Sequence, residues 1–199
     1  MLELLRHHFK VRRVVRFAVL AYLGKLIKEA MKHMEDLTGK SKKCLTFEEL
    51  STPSGDYLHF FRGYGCYTFA GMAGGKQPLS LGSGCEYHGT VVHEISHALG
   101  FFHEQSRSDR DDYLTIFWDN IQPGLEPQFK KLAPEENRLL TPFDYKSIMI
   151  YGEMAFSKDG LSKTMVDKFG KKKLTDPFQK YGLTLSDITR IRKLYKCEE

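Results

Sequence analysis

The sequence predicts an α+β domain of two lobes with a cleft between them. The N-terminal lobe is expected to hold a twisted mixed sheet and two long helices, and the C-terminal lobe to be irregular with one terminal helix. Three observations predict it. Residues 14–20 are rich in β-branched and aromatic side chains, and the apolar residues of 21–37 then recur every three or four positions. Short strand candidates follow, punctuated by glycines, and lead into a second helix from about Gly89. Beyond His103 the periodicity fades until the last stretch, near residues 186–195.

Residues 14–20 read as a strand, interrupted by Arg16. In the helix after it, Leu23, Leu26, Ile27, Ala30, Met31, Met34 and Leu37 form the apolar stripe. Residues 39–43 make a charged loop. Residues 45–47, 57–61, 66–69 and 79–81 are the next strand candidates, with Gly63, Gly71, Gly75 and Gly82 among the turn residues between them. Residues 107–113 are charged. The following stretch is loop-rich, with Pro123, Pro127, Pro134 and Pro142 in or beside it. Ser186 is the expected cap of the last helix, in which Ile188, Ile191, Leu194 and Tyr195 share a face. One domain over residues 1–199 is expected, its lobes being about 1–103 and 104–199.

A chain of 199 residues is long enough to bury a core, and 41% hydrophobic with 28% charged residues excludes a disordered chain. The net charge of +5 is uneven. Residues 1–43 carry 11 Lys and Arg against 4 Asp and Glu, a balance of +7 that leaves −2 for the rest. No nucleic-acid motif accompanies the basic arm, so it reads as a solvated face and no nucleic-acid partner is expected. Residues 6–13 and the apolar run 14–24 resemble an export signal. Arg16 and the lack of a small-residue cleavage site favour a strand leading into a helix, with the export signal outside this chain. No apolar stretch reaches the ~18–20 residues of a membrane span. A monomer is expected. Cys44, Cys66, Cys85 and Cys197 form no C-x-x-C pair. Their even number suggests two disulfides and an oxidising compartment, with three connectivities open.

The most informative stretch runs His93-Glu94-Ile95-Ser96-His97-Ala98-Leu99-Gly100-Phe101-Phe102-His103, an H-E-x-x-H-x-x-G-x-x-H pattern. Residues four apart lie on one helix face, so His93 and His97 can aim at one point. Gly100 can take the positive φ that ends a helix and turns His103 back toward them. Three imidazoles with a fourth position open are the ligand set of a catalytic zinc, since a structural site is closed by a fourth protein ligand. Glu94 is placed to be the general base. Val91, Val92, Ile95, Ala98 and Leu99 supply the buried side of the helix.

The stretch continues Glu104-Gln105-Ser106-Arg107-Ser108-Asp109-Arg110, and Ser147-Ile148-Met149-Ile150-Tyr151-Gly152 follows further on. With residues 65–67, 79–85, 143–145 and 174–177, these resemble the astacin family of metzincin proteases over most of the chain. The resemblance implies a zincin-like fold and a secreted endopeptidase holding one Zn²⁺. It implies Cys44–Cys197 and Cys66–Cys85 pairing, the longer loop being worth about 4–5 kcal/mol in a chain-entropy account. It implies that Tyr151 ligates the resting metal and stabilises the oxyanion, and that Met149 forms an apolar floor. Glu104 would be buried and hold a mature N-terminus, while Arg107, Asp109 and Arg110 would form a supporting network. Protein or peptide substrates would lie extended along the edge strand near residues 66–69.

The chain departs from the family at Arg16, where proline is usual, and at residues 39–43, which intervene before the first cysteine. It departs again at Ile150, where histidine is usual. Many astacins prefer an acidic residue just after the scissile bond. Lys171, Lys172 and Lys173 are candidates for that preference, although a lysine run is more often a solvated loop and Pro177 offers no charge. The preference stays open.

Overall fold

The structure is a computed structural model that describes residues 14–19, 23–39 and 44–197. The basic segment 6–13 and most of the charged loop 39–43 lie outside the described residues.

Strands β1 (Val14–Val19), β2 (Thr46–Glu49), β3 (Tyr57–Phe61), β4 (Cys66–Thr68) and β5 (Lys76–Leu81) form one sheet in the order β2-β1-β3-β5-β4. β2, β1, β3 and β5 pair in parallel, and β4 closes the edge antiparallel to β5. The sheet is therefore mixed, as expected. β5 begins three residues earlier than the sequence suggested and runs through Pro78. Its ladder with β4 covers only Leu79 to Leu81, so Pro78 lies past the end of β4 and its missing N–H breaks no bond on that side. Thr68 Oγ1 instead donates to Pro78 O at 2.8 Å.

Helix α1 (Gly24–Thr38) buries Ile27, Ala30, Met31 and Met34, the i, i+3, i+4, i+7 stripe of its sequence. Helix α2 (His88–Ala98) packs against it, and Val91, Val92 and Ile95 are inaccessible to solvent. Each such side chain contributes about 1.5–3 kcal/mol by leaving water. The last helix, α3 (Leu185–Leu194), adds Ile191 to this core, with Tyr195 just beyond its end.

The cap of α3 is Thr184, not Ser186. Thr184 Oγ1 accepts from Asp187 N at 3.1 Å, and Asp187 Oδ2 accepts from Thr184 N at 3.0 Å. This reciprocal pair starts the helix two residues before the expected cap. The second half also contains a small antiparallel sheet, β6 (Leu114–Ile116) with β7 (Met165–Asp167), so regular structure returns before α3.

Two apolar cores result. The first lies between the sheet, α1, α2 and α3 and includes Met149. The second gathers Leu114, Ile121, Phe129, Phe143, Met165 and Leu174 around Ile150. Consecutive residues Met149 and Ile150 thus belong to different cores, and the turn they share is the seam between them. Cys44 is bonded to Cys197 and Cys66 to Cys85, tying β2 to the end of α3 and β4 to the segment before α2. No helix among the described residues is long and apolar enough to cross a membrane.

Candidate metal centre

Helix α2 ends where its glycine allows. Gly100 has φ +103°, a region L side chains rarely adopt. There the amide of Gly100 donates to His97 O at 2.8 Å and that of Phe101 to Ser96 O at 3.1 Å. The reversal brings His103 beside the two helical histidines. The three Nε2 atoms lie 3.1 Å (His93–His97), 3.0 Å (His97–His103) and 3.2 Å (His93–His103) apart. They are the one group of three or more potential metal ligands found among the described residues.

The other ring nitrogens decide what those distances mean. His93 Nδ1 lies 2.8 Å from Ile148 O, and His97 Nδ1 lies 2.7 Å from Phe101 O. A carbonyl oxygen only accepts, so both Nδ1 atoms carry the proton and both Nε2 atoms present lone pairs. Burial pushes His93 and His103 well below the ordinary histidine pKa and His97 down to about 4, which keeps all three rings neutral. Neutral lone pairs converging at this distance repel unless a cation sits among them. Tetrahedral zinc with ordinary Zn–N bonds needs ligand nitrogens about 3.3 Å apart. The histidines fit a zinc ion.

Glu94 is buried beside His93, and its Oε2 has no hydrogen-bond partner among the described residues. Burial raises its pKa to about 8. A bound divalent cation would act in the opposite sense and favour the carboxylate. The Tyr151 ring centroid lies 4.2 Å from that of His103. Burial first, then the Glu94 and Asp176 carboxylates, raises the Tyr151 phenol. Met149 is fully buried, and its carbonyl accepts from Glu104 N at 2.8 Å.

Glu104 is inaccessible, and its carboxylate is fully engaged. Arg107 Nη1 donates to it at 3.2 Å, Asp144 N at 2.9 Å, and Arg190 pairs with its second oxygen. The N-terminal residues 1–13 that bear on the expectation for Glu104 lie outside the described residues. Arg107 also grips Asp109 through two bonds of 2.9 Å. Arg110 donates to the carbonyls of Gln105 and Phe129. The charged run after His103 is thus a network rather than a set of surface pairs.

Three further residues were missed by sequence reasoning. Asp187 accepts from Ile148 N at 2.9 Å and Ser147 Oγ at 2.6 Å. Arg190 donates to Asp187 and Ser147 Oγ. Lys180 Nζ donates to the carbonyls of Ser147 and Ile150 at 2.8 and 2.9 Å. Together they fasten the turn at the seam. Asp187 and Arg190 sit three apart on α3, a spacing that reads as a solvated ion pair. The signal that was present is Thr184-x-x-Asp187, a capping pattern that places an acid at the helix start.

The histidines, Glu94 and Tyr151 line a cleft of about 710 Å³. Its lining includes residues of β4 and the segment from Asp176 to Phe178. β4 is the sheet edge, so no strand among the described residues pairs with one side of its backbone. A second cavity of about 250 Å³ lies by Leu99 and Tyr195, beside the C-terminal end of α2. No cluster of potential metal ligands among the described residues faces it.

Comparisons with known proteins agree with this arrangement. A zinc-protease structure, high choriolytic enzyme 1 from the medaka fish Oryzias latipes, superposes with a TM-score of 0.80. It is 34% identical, with 96% of this chain and 93% of that one covered. Astacin-like metalloprotease toxin 1 of Loxosceles intermedia is 44% identical over 175 residues, 86% of this chain and 64% of the relative. Zinc metalloproteinase nas-13 of Caenorhabditis elegans is 43% identical over 159 residues, 79% of this chain and 34% of the relative. This chain spans between a third and two thirds of the length of these two curated relatives. The profile of the Astacin peptidase family matches residues 13–196, which takes in the three histidines, both disulfides except Cys197, and the Met149 turn. The chain belongs to the astacin family.

Proposed function

We propose that this chain is the catalytic domain of a secreted zinc endopeptidase, acting as one peptidase domain over residues 1–199. The observation that carries the reading is the meeting of three Nε2 lone pairs with the partnerless carboxylate oxygen of Glu94, in a cleft beside an open sheet edge. His93, His97 and His103 would hold the zinc. When bound, zinc supplies a Lewis acid that lowers the pKa of a water toward ~7 and polarises the scissile carbonyl.

The rest is done by side chains. Glu94 takes a proton from the attacking water and later delivers it to the leaving amine. Its burial and its partnerless Oε2 leave the carboxyl free to take up and give back that proton. Tyr151 keeps its phenolic proton and donates it as a hydrogen bond to the oxyanion of the tetrahedral intermediate. Met149 floors the histidines, and Glu104 anchors the helical turn after His103 through Arg107 and Arg190. A peptide bound in extended form adds to β4 as an extra strand, with its scissile bond over the histidines.

Secretion is supported by two disulfides and by relatives named as toxins. The test is cleavage of a denatured protein or a peptide library with and without 1,10-phenanthroline. Cleavage that stops with chelator and returns with zinc is expected. Cleavage indifferent to chelator would overturn the reading.

A further inference from the structure

A group of cations gathers on one surface outside the cleft. β7 ends at Asp167, and the chain then turns through Lys168-Phe169-Gly170-Lys171-Lys172-Lys173 before Leu174 returns to the second core. All six loop residues are exposed. Among the described residues no carboxylate pairs with Lys171, Lys172 or Lys173. Lys168 Nζ donates to Asp111 O at 2.8 Å, and Lys131 Nζ to Asp111 Oδ2 at 2.6 Å, so Lys131 joins the same surface. The Asp111 carboxylate is shared between Lys131 and Arg110.

The acid within the loop is used for shape. Asp167 is 3% exposed. Its Oδ2 accepts from Lys171 N at 2.7 Å and Lys172 N at 2.9 Å, and its Oδ1 from Phe169 N at 3.3 Å. Gly170 turns the chain at φ +67°, and its amide donates to Asp167 O at 3.0 Å. One carboxylate therefore holds the backbone while the ammoniums face water. Like charges held this close repel one another, a cost that a bound polyanion removes. A backbone fixed beforehand also saves ordering on binding. None of the loop residues lines the cleft.

We propose that loop 168–173, with Lys131, is a docking surface for a sulfated polysaccharide, separate from the metal centre. Lysine-rich runs suit polyanions such as nucleic acids and heparin. The choice of a polysaccharide over a nucleic acid rests on the secreted setting proposed above. Insertion into a bilayer scales with buried apolar area, and the loop offers one exposed ring, Phe169, which is 64% exposed. A lysine near an anionic surface typically contributes about fivefold to binding, and the effect fades as salt screens it. Three of them together should exceed tenfold.

The test measures binding to immobilised heparin and to unsulfated hyaluronan, for wild type and for a variant combining Lys171→Gln, Lys172→Gln and Lys173→Gln. The backbone amides that Asp167 holds remain in that variant. Wild type should bind heparin well above hyaluronan, with an affinity that falls as salt rises. The triple variant should lose at least about tenfold in heparin affinity and still cleave a short uncharged peptide at the wild-type rate. Absence of heparin binding by the wild type at physiological salt would overturn the proposal. So would equal binding to hyaluronan, or tighter binding to phosphatidylserine vesicles or duplex DNA. Undiminished heparin affinity in the triple variant would assign the binding to other cations, such as those of residues 6–13, and overturn it as well. Loss of peptide cleavage in that variant would make the lysines part of the active site and overturn their separateness. The binding arm needs no catalysis, so a failure of the endopeptidase reading shows in the peptide assay alone.

Discussion

The Nδ1–H of His93 donates to the backbone carbonyl of Ile148, 2.8 Å away, and the amide of Ile148 donates in turn to Asp187 Oδ2 at 2.9 Å. A residue on the last helix thus fixes the ring of the first histidine through one intervening residue. Asp187→Ala would leave the Ile148 amide unpaired and take a carboxylate from the buried Arg190 guanidinium. Breaking a buried pair in this way costs about 3–5 kcal/mol. Loss of an outer support typically weakens metal affinity or activity by ~10–100-fold. Urea unfolding of the zinc-loaded protein and competition against a chelator should show both losses. Unchanged affinity would mean that His93 is oriented by α2 alone.

Acid should release the metal and destabilise the fold over a defined range. His97 is pushed by burial down to about 4, while an unfolded histidine titrates near its ordinary value of 6.5. Between those values the unfolded chain binds more protons than the folded one, so stability rises with pH there and falls as pH is lowered. His93 and His103 shift in the same direction. The metal-free protein should therefore lose stability as pH falls from about 6.5 through 4. Zinc should dissociate only toward the lower end of that range, where protons begin to compete for the folded histidines. Thermal melts of both forms, with a zinc-sensitive dye, would check this. A melting temperature independent of pH across the range would contradict it.

Tyr151 is expected to act only once the oxyanion forms. Tyr151→Phe should lower kcat by ~10²–10³ with little change in KM, and zinc should be retained. Its neighbour Ile150 is inaccessible and sits in the second core with Leu114 and Phe129. A histidine at 150 would have to bury an imidazole among those side chains. Ile150→His should therefore destabilise the protein by about 1–3 kcal/mol rather than quicken it. Steady-state kinetics and denaturation of the two variants separate the roles.

Much of this site was legible in the sequence because its information is local. The spacing of His93, His97 and Gly100 dictates a helix, a face and a reversal, and the apolar stripe of α1 dictates its buried side. What was not legible depends on partners distant in the chain. Pro78 lies within a strand because the neighbouring β4 stops short of it. Thr184 outcompetes Ser186 as a cap because Asp187 can answer it. Asp187, Arg190 and Lys180 have the spacing and charge of surface residues. Only the arrival of the Ser147–Ile150 turn gives them buried partners.

The central claim is that Glu94 performs the chemistry and the three histidines hold the metal. Glu94→Gln keeps the shape of the side chain and removes the base. Zinc content and kcat/KM on one good peptide, measured together for wild type, Glu94→Gln and His97→Ala, test it most directly. One zinc per chain and almost no turnover are expected for Glu94→Gln, with both lost in His97→Ala. Substantial turnover by zinc-loaded Glu94→Gln, or full zinc occupancy at unchanged affinity in His97→Ala, would contradict it.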